Sequence, residues 1–179
     1  MIKLVTKNLI EKVTDQSTEP LIGKVDERIV LKKGESYPDI THIDGNVDIH
    51  SGVSVPKLKT INGDVEIFAG ANVPNLESIQ GNVIIAKDVS IPKLKTISGD
   101  VYVCVEATVP RLKIIGRNAF FFKGSYLPKL KSIGGYARIY EGSSAPKLKS
   151  IGGNVYIRKG VYLPKLRFNQ TTNEEERRC

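Results

Sequence analysis

The apolar residues of this chain recur with a period of 18 residues. In most repeats an aliphatic side chain occupies the same five positions, which in one repeat are Val55, Leu58, Ile61, Val65 and Ile67. Two repeats later these positions hold Ile91, Leu94, Ile97, Val101 and Val103, and two further on Leu127, Leu130, Ile133, Ala137 and Ile139. Prolines keep the same period without insertion or deletion, at residues 20, 38, 56, 74, 92, 110, 128 and 146. Such a period is typical of a solenoid, in which each repeat makes one circuit and packs on its neighbours.

Each repeat contains one strand signal and two turn signals. The alternation Val65-Glu66-Ile67 predicts a strand with one buried face. We expect Gly63, in the turn before it, to adopt positive φ, and Pro56 to fix φ at another corner. Parallel pairing between repeats at about 4.8 Å would give a rod of roughly 40 Å. The predicted fold is therefore all-β, a parallel β-solenoid (β-helix) of about eight 18-residue coils.

The two ends of the chain depart from the pattern. The solenoid repeats are expected over residues 19–168, and the first of them, a degenerate copy, keeps Val25 in the column of Ile61. Residues 1–18 lack the proline and the glycine and are predicted to form an N-terminal cap over the first ladder, since an uncovered sheet edge recruits other chains. Residues 169–179 are predicted to be a polar C-terminal tail.

The composition places few limits on function. The first residues lack the apolar core and cleavage site of a signal peptide, and no apolar run approaches the ~18 residues needed to span a bilayer. We therefore expect a cytoplasmic protein with no membrane partner and with reduced thiols at Cys104 and Cys179. The net charge of +8 favours acidic partners without naming them.

One motif resembles a known group of repeats. The line P-x-L-x-x-I-x-G-x-V-x-I, present as Pro146, Leu148, Ile151, Gly153, Val155 and Ile157, resembles bacterial and phage leucine-rich-repeat-like β-solenoid proteins. It is similar, more distantly, to the receptor L-domain repeat. The resemblance implies a binding scaffold, and its small phage-encoded examples imply interference with a host machine, such as inhibition of a host defence system.

A second resemblance competes with the first. Eighteen is three sixes, and Val55, Ile61 and Ile67 lie six apart, which is similar to the hexapeptide left-handed β-helix. Two of the sixes, IGGNVY and IRKGVY, fit its aliphatic-x-x-x-small-x scheme, but APKLKS does not. The handedness therefore stays open, with a lean to the right-handed form.

A stripe of basic residues follows the prolines. Two outward positions, one on each side of the buried leucine, are basic in twelve of fourteen cases: Lys57, Lys59, Lys93, Lys95, Arg111, Lys113, Lys129, Lys131, Lys147, Lys149, Lys165 and Arg167. The stripe favours either a solvated face that resists aggregation or a polyanion track with a log–log salt slope of roughly −4 to −5. Asn75 and Glu77 interrupt the basic stripe and divide it into two segments. No aromatic residue is expected within this face, so no base stacking is predicted there.

Two outward positions of the repeat, the middle residue of the Val-x-Ile strand and the residue just after it, carry a different surface. They form an aromatic strip that we predict to be a protein interface, with arginines at its rim: Phe68, Ile84, Tyr102, Phe120, Phe122, Tyr140, Tyr156, Arg138 and Arg158. The alternative is that these rings stack along the ladder only to stabilise the sheet.

Catalytic residues are scarce. His42 and His50 are the two histidines, and Asp64 and Asp100 share a column two repeats apart. Strict repeats without insertions leave no loops on which to build a pocket. We therefore expect no enzyme activity, no catalytic residues, no cofactor and no bound metal.

The sequence thus favours a non-enzymatic protein-binding scaffold that uses the aromatic strip, through self-association as a homodimer or through a specific protein partner. The alternative is a polyanion- or nucleic-acid-binding protein that uses the basic stripe.

Overall fold

A computed structural model of the chain describes residues 21–22 and 28–167. These residues form 16 short β-strands and no helix, so no described helix could cross a membrane. The strands are β1 (Leu21–Ile22), β2 (Ile29–Leu31), β3 (His42–Asp44), β4 (Val47–Ile49), β5 (Thr60–Ile61), β6 (Val65–Ile67), β7 (Ser78–Ile79), β8 (Val83–Ile85), β9 (Thr96–Ile97), β10 (Val101–Val103), β11 (Ile114–Ile115), β12 (Ala119–Phe121), β13 (Ser132–Ile133), β14 (Ala137–Ile139), β15 (Ser150–Ile151) and β16 (Val155–Ile157).

The strands form two eight-stranded parallel sheets that run the length of the rod. The odd-numbered strands make one sheet, which we call the short-strand sheet, and the even-numbered strands make the other, the long-strand sheet. In the long-strand sheet Val65 pairs with Val83 and Val83 with Val101, a step of 18 residues. The predicted all-β parallel β-solenoid is confirmed.

A third side closes each coil. Single residues pair in parallel from coil to coil in a column of isolated bridges: Ser36 with Ser54, Ser54 with Asn72, Ser90 with Thr108, Thr108 with Tyr126, Tyr126 with Ser144, and Ser144 with Tyr162. Each coil therefore has three sides, joined by a Pro-Lys corner, a bend before the long strand, and a turn after it.

The first described coil breaks the period. Leu21 of β1 pairs with Ile43 of β3, a step of 22 residues, so an unbroken 18-residue spacing is wrong for this pair. Val25, predicted for that column, lies outside the described residues, as do the predicted cap and tail. The described residues form about seven turns rather than the expected eight coils.

The core is a set of columns that run up the inside of the rod. The five predicted positions are buried in the coils up to Ile139, as at Val55, Leu58 and Ile61, whereas in the last described coil Ile151 and Val155 are half-buried and Ile157 is exposed. The sequence pattern did not predict a sixth inward column, because its residues are small. The residues buried there are Val53, Val89, Ala107, Ser125 and Ser143. The two buried serines donate hydrogen bonds from Oγ to the Phe122 carbonyl, at 2.6 and 2.9 Å, so burial leaves neither hydroxyl unpaired.

The bend before the long strand needs glycine for a different reason from the one predicted. Gly45, the first described glycine of this column, has positive φ, but Gly63 and Gly81 do not. Instead, a Cβ added at Gly81 would overlap the backbone carbonyl of Gly63 in the preceding coil. Positive φ recurs from coil to coil in the turn after the long strand, where glycine is usual but Asp88 and Glu106 take its place.

The same bend is fixed by a ladder of side-chain to backbone hydrogen bonds. Each Asn or Asp just before the long strand accepts the backbone N–H of its equivalent in the next coil. Asp64 Oδ1 thus accepts from Asn82 at 2.7 Å, and Asp100 Oδ1 accepts from Asn118 at 2.9 Å. These bonds satisfy N–H groups that the bend leaves without a strand partner.

Replacement of Gly81 by alanine is expected to lower the free energy of unfolding by roughly 1–3 kcal/mol, because the Cβ forces two coils apart. Urea unfolding followed by circular dichroism measures this. Gly153→Ala is the control at the same position of a later coil, since its Cβ would approach no backbone atom closer than 3.0 Å. Equal losses in the two variants would contradict the close-approach explanation.

Candidate functional site

The long-strand sheet places the aromatic strip in register on the outside of the rod. Tyr102 pairs with Phe120 and Phe120 with Arg138, so these outward side chains lie on adjacent coils. Ile84 is 40 % exposed and Tyr102 and Phe122 are each 37 % exposed, whereas Phe120 is half-buried. The structure therefore brings the predicted interface residues together on one side of the solenoid.

The rings of the aromatic strip stack on one another along the rod. The ring centroids of Tyr102 and Phe120 are 4.4 Å apart with nearly parallel planes, and those of Phe122 and Tyr140 are 5.4 Å apart. His50 stacks on Phe68 in the same way, at 4.5 Å. Such cross-strand stacking stabilises the sheet without a partner, which is the alternative that the sequence left open.

The end of the strip towards the last coil is polar and concave. An open hollow of about 940 Å³ is lined by the tyrosines and arginines of two adjacent coils, among them Tyr136, Arg138 and Tyr140. The Arg158 guanidinium lies over the Tyr156 ring, 5.2 Å from its centroid. At the other end of the strip Arg28 forms an ion pair with Asp48.

The basic stripe lies along the Pro-Lys corner, and all twelve of its side chains are exposed. The backbone at this corner is hydrogen-bonded from coil to coil. Lys113 donates its N–H to the Lys95 carbonyl at 2.8 Å, Lys131 to Lys113 at 2.8 Å, and Lys149 to Lys131 at 2.9 Å. Basic side chains at this position are therefore stacked in register, about 4.8 Å apart at Cα.

The first part of the stripe is compensated by neighbouring polar groups. Lys57 Nζ lies 2.8 Å from Asp39, and Lys95 Nζ lies 2.6 Å from Glu77. The hydrogen bond from Lys95 and its charge lower the pKa of the Glu77 carboxyl, so Glu77 stays ionised near neutral pH. Lys93 donates to the Asn75 side chain. The coil that interrupts the stripe thus partners Lys93 and Lys95 of the coil that follows it.

The second part has no such compensation. Eight basic residues occupy four successive coils, and we call them the basic block: Arg111, Lys113, Lys129, Lys131, Lys147, Lys149, Lys165 and Arg167. Among the residues that the structure describes, none of the eight forms an ion pair. This is the largest uncompensated group of like charges on the described rod.

Two exposed tyrosines border the basic block and were missed by the sequence reasoning. Tyr126 is 49 % exposed and Tyr162 is 58 % exposed, in the column of single bridges on the third side. Each comes three residues before a lysine of the block, Lys129 and Lys165 respectively. The signal was in the sequence, since both occupy one repeat position, but that position was not recognised as a paired outward column.

The candidate catalytic groups have structural partners. His42 contacts Thr60 through Nδ1 and lies 2.7 Å from Asp44 Oδ1 through Nε2, while Asn62 donates to the same oxygen at 2.6 Å. His50 belongs to the other sheet and stacks on Phe68, so the two histidines do not converge. In the described part of the chain no three His, Cys, Asp or Glu side chains are grouped so that they could hold a metal ion.

The thiol of Cys104 lies in the aromatic strip and is half-buried. Burial raises the pKa of this thiol, and the charge of Glu66 raises it further. A thiol with a raised pKa is protonated at neutral pH and is a poor nucleophile.

The chain was compared with protein-family models, with curated proteins and with solved structures, and none of them matches it. Its function must therefore be argued from its own geometry.

Asp100→Ala is expected to lower the free energy of unfolding by about 1–2 kcal/mol, because the Asn118 N–H loses its acceptor. Asp100→Asn should be nearly neutral, since asparagine supplies the same acceptor oxygen at positions 46, 82 and 118. Chemical denaturation of the two variants measures the difference. If both lose the same stability, the charge and not the acceptor fixes the bend.

Proposed function

We propose that this protein is a non-enzymatic scaffold that binds a polyanion along the basic block. The observation that carries the proposal is the stacking of eight exposed cations over four coils without an ion-pair partner among the described residues. Like charges held in register on adjacent strands repel each other. A ligand with regularly spaced negative charges would remove that repulsion and release its own counterions.

The usual structural reason for exposed lysines on a sheet does not apply at this corner. Lysine protects sheet edges, where unpaired backbone groups would otherwise recruit another strand. At the Pro-Lys corner the backbone is already paired, as in the bond from the Lys131 N–H to the Lys113 carbonyl. A solenoid has free edges only at its two ends, so lysines along its length do not protect an edge.

A second candidate function is protein binding through the aromatic strip, by self-association or with a specific partner. The observation that favours it is that Ile84, Tyr102 and Phe122 remain about two-fifths exposed despite the stacking of the rings. Contiguous apolar surface of this kind is typical of interaction sites. A relationship to bacterial and phage leucine-rich-repeat-like solenoids stays a hypothesis from the sequence, and so does inhibition of a host defence system.

The double variant Lys129→Glu with Lys147→Glu tests the first proposal. We expect it to weaken binding to a short fluorescein-labelled DNA by at least ten-fold at about 0.1 M salt, and to flatten the log–log salt dependence, because two phosphate contacts are lost. Fluorescence anisotropy across a salt series measures both quantities.

The control is Lys87→Glu with Lys159→Glu, which makes the same change in net charge at the turn after the long strand. It should retain most of the affinity. If the two double variants weaken binding equally, net charge and not the basic block is responsible, and the proposal fails. It also fails if the unmodified protein binds no polyanion at low salt.

The double variant Phe120→Ser with Phe122→Ser tests the second candidate. We expect an assembly heavier than the 19.7 kDa chain that survives high salt, and we expect this variant to abolish it, because the exposed apolar surface is lost. Light scattering measures the mass.

Loss of the stacked Phe120 ring also weakens the sheet, so Ile84→Ser is a second variant that removes exposed apolar surface without removing a ring. Ile114→Ser is the control, since Ile114 is exposed on the short-strand sheet. A chain that stays monomeric at all concentrations argues against self-association. A partner that binds all the variants equally argues against the strip.

A further inference from the structure

We infer that the polyanion is a single-stranded nucleic acid, whose backbone follows the basic block and whose bases stack on Tyr126 and Tyr162. The inference rests on the proposed function, and it adds the class of ligand and two residues that would recognise it.

Tyr126 and Tyr162 expose their rings to solvent. They are the most exposed large apolar side chains of the described chain, at 49 % and 58 %. Neither stacks on another ring there, unlike the rings of the aromatic strip. Two tyrosines without ring partners contribute little to the stability of the fold, but each offers a free π-face to a planar ligand.

Each of the two tyrosines lies close in sequence to a lysine of the basic block. The links Tyr126-Leu127-Pro128-Lys129 and Tyr162-Leu163-Pro164-Lys165 have the same pattern. Three residues of chain span at most about 11 Å, and the buried Leu127 anchors the first link to the core. A nucleotide could therefore place its phosphate on the lysine and its base on the tyrosine of the same coil. Cationic tracks with interleaved aromatic side chains are typical of proteins that bind single strands.

The spacing of the two rings along the rod favours a single strand over a duplex. Tyr126 and Tyr162 belong to one column and are separated by Ser144 on the coil between them, so they lie two coil steps apart, roughly 10 Å. Neighbouring bases within a duplex strand are only about 3.4 Å apart and expose edges rather than faces. Rings so widely spaced can engage only bases that are unpaired and splayed.

Hydroxyl groups lie on both flanks of the basic block. Thr108 and Ser144 share the column of the two tyrosines, and Ser132 and Ser150 point outward from the short-strand sheet on the other flank. Serine, threonine and tyrosine hydroxyls commonly bind phosphate and sugar oxygens. The corner therefore offers both the charged and the neutral donors that a sugar-phosphate backbone uses.

The experiment compares two polyanions of different chemistry. An oligo(dT) of about 16 nucleotides has bases, whereas dextran sulfate has charge but no base. Tyr126→Ser with Tyr162→Ser is expected to weaken oligo(dT) binding by roughly 5- to 100-fold per ring, and to leave dextran sulfate binding unchanged. The chain has no tryptophan and seven tyrosines, so the part of the oligo(dT)-induced quenching of tyrosine emission that is lost in the double variant reports stacking on Tyr126 and Tyr162.

Two controls separate stacking from other effects. Tyr126→Phe with Tyr162→Phe retains both rings and should retain the oligo(dT) affinity. Tyr136→Ser removes an exposed ring that packs edge-to-face against Phe120, away from the basic block, and should also leave that affinity unchanged. Both double variants should melt at the temperature of the unmodified protein.

The failures of the two proposals are distinguishable. If the unmodified protein binds dextran sulfate and oligo(dT) but the serine double variant binds both as before, the polyanion function stands and the single-strand inference is overturned. The polyanion function also stands, and the single-strand inference is also overturned, if the serine double variant binds both ligands more weakly by the same factor. A duplex that binds as tightly as the single strand has the same consequence. If the unmodified protein binds neither ligand at low salt, both proposals fail.

Discussion

The whole structure depends on the register of backbone hydrogen bonds between successive coils. From Ile29 onwards the residues of both sheets pair with their equivalents 18 residues further along the chain, and the single bridges of the third side have the same step. No single coil buries enough apolar surface to fold alone, so stability comes from the neighbouring coils. One consequence is that the side chains at each outward position of the repeat form a straight column along the rod. A residue type repeated in the sequence is then a stripe on the surface, whether it carries a ring, a hydroxyl or a charge.

The bend before the long strand shows how little freedom this register leaves. Gly81 has no room for a Cβ against the Gly63 carbonyl, and Asp64 reaches across to the Asn82 N–H at the same place. Close backbone approach and side-chain capping thus act together at one corner. The turn after the long strand is more tolerant, since Asp88 and Glu106 adopt there the left-handed conformation that glycine takes in other coils. Glycine is needed before the long strand because a Cβ would not fit there, whereas after the long strand it is usual because it adopts positive φ.

Periodicity predicted the fold because burial alone decides which residues face inward, and Val55, Leu58 and Ile61 follow that rule. Periodicity did not predict the inward-facing residues where the size of the side chain or a contact from a neighbouring coil decides which residue is buried. Ser125 and Ser143 are buried because small side chains fit their column and the Phe122 carbonyl accepts their hydroxyls, which no hydropathy pattern contains. The members of both candidate surfaces could be predicted, but their energetics could not. Stacking of Tyr102 on Phe120, and the pairing of Lys95 with Glu77, depend on residues 18 apart that are neighbours only in the folded rod.

The coil that contains Asn75 and Glu77 sets the boundary of the proposed binding surface. Before and beside it, Lys57, Lys93 and Lys95 have polar or acidic partners, so an anionic ligand would have to displace an existing contact at Lys95. Beyond it, from Arg111 to Arg167, no such competition exists among the described residues, and both exposed tyrosines of the third side lie within the same four coils. Charge and exposed rings therefore coincide on one half of the rod. The aromatic strip lies on another side, so a ligand on the basic block would leave the strip open to a second macromolecule.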